Sequence, residues 1–433
     1  MGAGADLADL AEDMAAQIHV MSSPFYLVVT PFFPSPDNWR GAYCYDFVVA
    51  LKKTGLYRVE VFVPGKGDDY QIGNVQIHRF VTRELPSNVF PFLWARRNKR
   101  SFLDAVKRAG ISMNDVAVCH GHTANFAIYP QAVKDVNESC ITLLHHHDRE
   151  SFGLNLGILK YCWPYNMVMF PILRRLHEQM DCHVFISEAS RRSFLAAPNA
   201  KAEPYKGYHK QMRGLPYHPA RIKKSLILHN GVDVSIFNEA GRIARTDGDI
   251  TIGCVGNFGD WKNQITLLKA MVVLREWGLT KIRAIFIGSG PELEECRCYA
   301  KQNCLDAEFR QEVRHECLPD FYRTIDLFVL PSFFEGFGCV FTEAYACGTP
   351  FITCEGQGMD DLIPGSEWHI WLAKIQDPDD LARKIRYYFE KHPVQHLAGP
   401  ISFDELIPPF VEQVMTIARE SAACNGHLLV EKK

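Results

Sequence analysis

The stretch Ile325–Gly348, IDLFVLPSFFEGFGCVFTEAYACG, says more about the fold of this chain than any other. Its first part, IDLFVLPS, is an apolar run that ends at a Pro-Ser turn, which is typical of a buried strand. Its last part, FTEAYACG, is typical of a short helix that ends at a glycine. Glu335 and Glu343 bracket the connection, and Gly336 and Gly338 lie between them, where backbone N–H groups are bare and the helix dipole is positive.

Such a connection has the parts that a nucleotide sugar needs. In an open α/β sheet, ligands bind in the crevice at the carboxyl ends of the strands. Backbone amides can bind phosphate there, and carboxylates can bind ribose and sugar hydroxyls. The alternative is an ordinary strand–helix connection whose glutamates cap the helix or face solvent.

Strand-like runs alternate with helical periodicity along most of the chain. This alternation predicts an α/β protein with two doubly wound, Rossmann-like domains that face a central cleft. We expect a leader at 1–22, a first domain at 23–222, a second domain at 223–398, and a C-terminal helix at 399–433 that crosses back to the first domain. The second set of strands is expected to begin with SLILHNGVD, Ser225–Asp233.

Composition limits the class of protein. The 433 residues are 47% hydrophobic and 22% charged, and the net charge of -3 offers no global field to recruit nucleic acid. The 14 cysteines include no C-x-x-C pair, which favours a reducing compartment. The first 22 residues lack the features of a secretory signal, and no apolar run has the length of a membrane span. We therefore expect a cytoplasmic protein.

The segment 90–108 mixes aromatic with basic residues. This composition is typical of a patch that contacts a membrane surface, and equally of a core helix with a solvated face. The sequence leaves both interpretations open, so the localisation is cytoplasmic with or without a peripheral membrane contact.

Four turn motifs follow strands in a consistent order in the second half. They are HNGVD (His229–Asp233), VGNFGDWKN (Val255–Asn263), IGSGPELEE (Ile287–Glu295) and EGFGCVFTE (Glu335–Glu343). Each is expected to place backbone N–H groups or a cation at the carboxyl edge of one sheet. With these motifs the chain resembles glycosyltransferase family 4, whose members are retaining enzymes with the GT-B architecture. The resemblance covers most of residues 23–420.

Individual motifs of the family match stretches of this chain. The E-x7-E pattern of the family matches Glu335 and Glu343, and its D-P-x-x-L helix start matches Asp377–Leu381. It implies transfer of a hexose, with retention, from a nucleoside-diphosphate sugar to the hydroxyl of a saccharide or lipid-linked acceptor, in glycan or glycolipid synthesis. It implies three catalytic residues, namely Glu335, His147 and Lys262. It also implies a set of donor-binding residues: Glu343, Gly41, Asn257, Gly336, Phe337, Gly338, Gly256, Val313 and Ser187.

The chain departs from the family at two glycine-rich turns. Asn257 stands where the family carries an arginine, so one cation on the pyrophosphate is absent or comes from elsewhere. The candidates to replace it are Arg40, Arg149 and Arg191. Ala42 stands in place of the second glycine after strand one.

The histidines offer a competing interpretation. The strand-ending histidine of the family matches one of His145, His146 and His147, and His147 fits best because it precedes an aspartate. His120, His122, His145 and His147 alternate along two strand ends, a pattern that also suits zinc. The family architecture implies no bound metal and no cofactor beyond the donor, and DPD at Asp377–Asp379 is interpreted as a helix cap.

Other functions use the same cleft. A GT-B phosphorylase or epimerase is one alternative, although no Schiff-base lysine signature is visible. A catalytically silent nucleotide-sugar-binding or scaffold protein is another; Glu335, Glu343 and Lys262 argue against it, while Asn257 keeps it open. Hydrolysis of the donor without acceptor would distinguish an enzyme from a silent protein.

Overall fold

The computed structural model describes residues 23–35, 41–82, 91–147, 171–172, 174–195, 220–242, 250–333 and 335–430. The expectations for the leader, for Arg40 and for Arg149 lie outside these residues. Within them, two sheets with flanking helices form the body of the protein.

The first sheet has eight strands in the order β3-β4-β2-β1-β5-β6-β7-β8. All of its neighbours pair in parallel except β3, which is antiparallel to β4. The central strands are buried on both faces, as apolar runs in parallel sheets are. The strands are β1 (Phe25–Val29), β2 (Arg58–Pro64), β3 (Tyr70–Ile72), β4 (Val75–Phe80), β5 (Val116–His122), β6 (Ile141–His146), β7 (Cys182–Phe185) and β8 (Ser225–Ile227).

Helices cover both faces of this sheet and build two separate cores. These helices are α1 (Ala42–Lys53), α2 (Pro91–Arg108), α3 (Ile128–Lys134) and α4 (Glu188–Leu195). Trp94 and Phe102 of α2 are buried in one core, while Arg96, Arg97 and Arg100 of the same helix are exposed. The helix therefore packs one side into the core, as expected of a core helix with a solvated face. Its exposed side is basic, as a membrane-contacting patch would also be.

The second sheet has six parallel strands in the order β11-β10-β9-β12-β13-β14. The strands are β9 (Ile250–Val255), β10 (Ile282–Ile287), β11 (Ala307–Arg310), β12 (Leu327–Val329), β13 (Phe351–Cys354) and β14 (Leu372–Ala373). The helices that follow them are α5 (Gln264–Glu276), α6 (Leu293–Gln302), α7 (Leu318–Arg323), α8 (Cys339–Ala346), α9 (Trp368–Trp371) and α10 (Pro378–Lys391). Asp377 caps α10 by accepting from the amide of Asp380 at 2.9 Å.

One strand belongs to a different sheet from the one predicted from the sequence. The run that begins at Ser225 was expected to open the second sheet, but β8 pairs in parallel with β7 of the first sheet. It is only three residues long, and such a short run carries no information about its partner. The HNGVD motif therefore follows the edge strand of the first sheet and is not at the carboxyl edge of the second.

The last helix, α11 (Phe403–Val430), returns to the first sheet. Phe403, Ile407 and Phe410 are buried in the core that contains Phe47 of α1. The chain thus crosses between the two domains after β8 and again before α11. In the described part of the chain, no helix is both long and apolar enough to cross a membrane.

Candidate functional site

The loop between β12 and α8 carries the predicted carboxylates to the edge of the second sheet. Gly338 caps α8 with φ +86°, a conformation that favours glycine. A Cβ at Gly338 would also lie 2.7 Å from the ring of Phe341. Phe337 is buried, and its ring stacks on His229 with centroids 5.1 Å apart. The turn is therefore held tightly and cannot easily accept another residue.

Two of the predicted catalytic residues form an ion pair. Lys262 ends a short 3₁₀ segment after β9, and its Nζ lies 2.5 Å from Oε2 of Glu335. The strands β9 and β12 are neighbours in the sheet, so their loops converge. The backbone amide of Glu335 donates to Oε1 of Gln357 at 2.7 Å. An arriving phosphate would have to compete with Glu335 for the charge of Lys262.

Glu343 is buried and both of its oxygens have donors. His315 Nε2 lies 3.0 Å from Oε1, and the hydroxyl of Tyr322 donates to Oε2 at 3.0 Å. Burial lowers the pKa of His315, but the hydrogen bond and charge of Glu343, together with the charges of Asp46 and Glu316, outweigh it, so the net pKa is above its ordinary value. Neither partner was predicted from the sequence. Its closest signal was Val313, which is exposed two residues before His315.

Asp46 of α1 is a further acidic group on this side of the cleft. Burial and the charge of Asp233 raise its pKa to about 7, and the charge of Glu343 adds to this rise. His315 acts in the opposite direction and lowers the pKa of Asp46. The carboxyl group of Asp46, from the first domain, therefore interacts electrostatically with Glu343 of the second domain.

The turn at Gly256 brings two predicted donor residues close to Lys262. The carbon chain of Lys262 runs past Gly256, with Cδ 3.9 Å from where a Cβ would stand. Asn257 is exposed next to it, and its backbone carbonyl accepts from the side chain of Gln264 at 3.0 Å. The side chain at the position where the family has arginine is thus on the surface of the loop that carries Lys262.

In the first domain, Gly41 begins α1 with φ +89°, and a Cβ there would lie 2.7 Å from the carbonyl carbon of Phe32. Ser187 opens α4, where its hydroxyl oxygen accepts from the amide of Ser190 at 3.0 Å. The same hydroxyl donates to the carbonyl oxygen of Gly336 at 2.7 Å. Ser187 therefore ties the first domain to the glutamate loop of the second.

A second link joins the domains beside Ser187. Oδ2 of Asp361 accepts from the amide of Glu188 at 2.7 Å and lies 3.2 Å from Nε2 of His229. Arg191, a candidate for the missing cation, instead forms two 2.7 Å hydrogen bonds with the carboxylate of Glu188. The guanidinium of Arg191 is therefore already paired with a carboxylate in this structure.

Of the three consecutive histidines, only His147 is partly exposed. His145 and His146 are 3% and 0% exposed, and they lie on opposite faces of β6. His147 Nε2 lies 2.8 Å from Nδ1 of His122, and its ring packs on Tyr43. Burial lowers the pKa of His147 to about 3, so its imidazole is neutral at physiological pH.

Residues 236–399 match the family model described as glycosyl transferases group 1. The chain is 32% identical over 134 residues to the putative glycosyltransferase EpsF of Bacillus subtilis, an alignment that covers 29% of this chain and 35% of EpsF. It is 29% identical over 181 residues to the lipopolysaccharide core biosynthesis mannosyltransferase LpsB of Rhizobium meliloti, covering 38% and 49% of the two chains. The chain thus spans less than half the length of these curated relatives.

Solved structures match over more than nine-tenths of the chain. HepE from Anabaena in complex with UDP and glucose superposes with a TM-score of 0.55 at 15% identity, covering 93% of this chain and 99% of HepE. Sucrose-phosphate synthase from Thermosynechococcus elongatus gives a TM-score of 0.57 at 16% identity, covering 94% and 100%. The GT-B fold predicted from the sequence is therefore confirmed, and the sequence matches support the GT-B glycosyltransferase superfamily.

Proposed function

We propose that this chain, which has the GT-B fold and a group 1 sequence pattern in its second domain, is a retaining glycosyltransferase. It transfers a hexose from a nucleoside-diphosphate sugar to an acceptor hydroxyl. The observation that carries the proposal is the Lys262–Glu335 ion pair on the glycine turn ahead of Glu343. A cation for phosphate and two carboxylates for hydroxyls lie together at the carboxyl edge of one sheet.

The two carboxylates have different tasks. Glu343 binds the ribose hydroxyls, because His315 and Tyr322 already hold its oxygens in one orientation. Glu335 binds hydroxyls of the sugar, and its release from Lys262 occurs when the pyrophosphate arrives. The backbone near Val313 borders the base.

The pyrophosphate is stabilised without a divalent metal at the donor site. Lys262 supplies a full charge, the amides after Gly338 and Gly41 lie at the positive ends of α8 and α1, and Asn257 donates as a neutral dipole. The departing phosphate takes the proton of the acceptor hydroxyl. Neutral His147 contacts the donor sugar near the reacting carbon.

The proposal extends to the nucleotide base, the sugar and the acceptor. Structural neighbours in complex with UDP, UDP-glucose and UDP-2-fluoro glucose support UDP-hexose as the first donor to test. Saccharide and lipid-linked acceptors both fit, and the basic side of α2 is the surface we propose for a peripheral membrane contact in the cytoplasm. The first domain is then the acceptor side of the cleft.

Calorimetric titration with UDP-, GDP- and ADP-glucose tests the proposal, followed by a transfer assay with the donor that binds. We expect one nucleotide series to bind and the sugar to keep its anomeric configuration in the product. Glu343→Ala should abolish most of the binding, while Glu412→Ala on the exposed side of α11 should not. Binding that is equal in both variants, or absent for all nucleotides, would refute the site.

Asn257 favours a second candidate, a nucleotide-sugar-binding protein without turnover, because a pyrophosphate-binding charge is absent there. Release of free hexose from the donor in the absence of acceptor separates the two. Slow hydrolysis that Glu335→Gln abolishes supports the enzyme, while tight binding with no hydrolysis supports the silent protein.

A further inference from the structure

A cluster of three buried histidines lies between the first sheet and the helices α1 and α11. His120 and His122 project from the same face of β5, and His145 of β6 is the register partner of His122. Their exposed fractions are 0%, 1% and 3%. One ring nitrogen from each of the three lies within 4.8 Å of the other two. Neither the fold nor the proposed glycosyl transfer requires imidazoles at this depth.

The cluster leaves an unusual set of nitrogens without partners. Among the described residues, Nε2 of His120, Nε2 of His122 and both ring nitrogens of His145 are buried with no hydrogen bond. A buried polar atom without a partner destabilises the folded state, because it has lost its hydrogen bonds to water and gained none in return. Four such atoms within one cluster are therefore expensive unless something binds them.

The remaining nitrogens are engaged in a way that suits metal ligands. Nδ1 of His120 lies 2.8 Å from the hydroxyl of Tyr26, and Nδ1 of His122 lies 2.8 Å from Nε2 of His147. A metal-bound imidazole commonly donates its other N–H to such an outer partner, which orients the ring. Both rings are thus held with Nε2 as the available atom.

We propose that His120, His122 and His145 bind a zinc ion in the first domain, through Nε2 of the first two and a free nitrogen of the third. Three imidazoles and one solvent molecule make the tetrahedral set that zinc takes. Ligand nitrogens around zinc lie about 3.3 Å apart, given Zn–N distances of about 2.0–2.1 Å. Ring nitrogens that lie within 4.8 Å of one another would have to draw together by at most about 1.5 Å to reach that separation.

A neighbouring trio of histidines differs from this cluster in its hydrogen bonds. His146, His177 and His183 lie on the other face of the sheet and are equally buried. There, His146 Nε2 lies 2.9 Å from His183 Nδ1, while Nε2 of His183 lies 2.9 Å from the carbonyl oxygen of His177. Nε2 of His177 also lies 2.9 Å from the carbonyl oxygen of Ala124. Among the described nitrogens of this trio, Nδ1 of His146 has no hydrogen bond, but every Nε2 already has a partner, so a metal on an Nε2 atom would have to break an existing hydrogen bond.

The zinc site has a consequence for the proposed function, and this step rests on that function. Zinc on Nε2 of His122 requires its proton to be on Nδ1, which then donates to Nε2 of His147. His147 must then carry its own proton on Nδ1, which is buried and has no hydrogen bond among the described residues. The metal is therefore a positioning element for His147 and takes no part in binding the pyrophosphate.

Elemental analysis of the full chain, purified without a polyhistidine tag, tests the proposal. We expect about one zinc ion per chain in the wild type, loss of zinc to background in His145→Gln, and full zinc in His146→Gln. His146 is the matched control because it is the next residue, is equally buried and faces away from the cluster. Zinc retained in His145→Gln but lost in His146→Gln would assign the metal to the other trio and overturn the proposal.

A second measurement covers the case in which His145→Gln does not fold. Wild-type protein produced in cobalt-supplemented minimal medium should show the intense visible d–d absorption of tetrahedral Co²⁺, and zinc should displace it. Folded wild-type protein with only background metal and no cobalt spectrum would refute the site. Bound zinc without any glycosyl transfer would count against the proposed function alone.

Discussion

The Lys262–Glu335 ion pair leads to a prediction that separates nucleotide affinity from turnover. The two charged atoms are 2.5 Å apart, and their side chains are 17% and 16% exposed. The pair is therefore only weakly screened by solvent. Because a nucleoside diphosphate must draw Lys262 away from Glu335, we expect Glu335→Gln to bind the bare nucleotide more tightly than the wild type.

The size of the effect follows from the strength of the contact. A hydrogen bond to a charged group typically contributes about 1.5–3 kcal/mol. The glutamine amide oxygen still accepts from Lys262, so about half of that contribution becomes available to the phosphate. The dissociation constant for the nucleoside diphosphate should fall by about threefold to tenfold. Turnover should fall at the same time, because the sugar loses a carboxylate partner.

Isothermal titration with the nucleoside diphosphate and a steady-state transfer assay measure the two quantities on the same preparation. Glu355→Gln is the matched control: Glu355 is exposed in the same domain, so the change removes one negative charge without touching Lys262. Gains of equal size in both variants would show a general charge effect. Weaker nucleotide binding in Glu335→Gln would refute the competition between Glu335 and phosphate.

Four further predictions follow from the same site. Glu343→Ala should weaken nucleotide binding by about 1.5–3 kcal/mol, and an unchanged dissociation constant would remove the ribose role. Stability should respond to pH through His315, whose raised pKa means that its pairing with Glu343 stabilises the fold fully below about pH 6.5 and less as pH rises through the raised pKa. Urea unfolding at about pH 5.5 and about pH 9 should therefore differ less in His315→Gln than in the wild type, and equal differences would contradict the pairing. Added Mg²⁺ should not raise turnover, whereas activity that Mg²⁺ restores after chelation would place a divalent ion at the donor. Asn257→Arg should tighten donor binding by about 1 kcal/mol or less in a salt-dependent way, and weaker binding would show that another cation already occupies that place.

The glutamate motif could be placed from the sequence because its signals are local. An apolar run, a turn and a helical run predict a strand, a loop and a helix within the span of a few residues, and the structure has β12 and α8 there. The order of strand-end motifs then predicted that Lys262 and Glu335, far apart in sequence, belong to one edge. The parallel pairing of β9 with β12 supplies that proximity.

The partners of Glu343 could not be predicted in the same way. His315 and Tyr322 belong to a 3₁₀ segment and to α7, and neither stands in a recognisable motif. Their convergence on one carboxylate depends on how α7 packs beside α8, which involves side chains from many parts of the chain. The ion pair between Arg191 and Glu188 could not be predicted either, because a sequence shows a cation but not its partner.

By itself the sequence determined the alternation of strands and helices and the glycine turns, because periodicity and turn chemistry are properties of neighbouring residues. The GT-B fold was implied by the resemblance of its motifs to a known family. Only the tertiary structure decided that β8 belongs to the first sheet, that Ser187 reaches Gly336 across the cleft, and which histidine nitrogens are left unpaired. These outcomes depend on which strands, loops and helices pack against one another. The residues that stabilise such contacts are far apart in the sequence. A pattern of histidines on two strands predicts a shared face, but only the packed helices on that face separate it from bulk solvent.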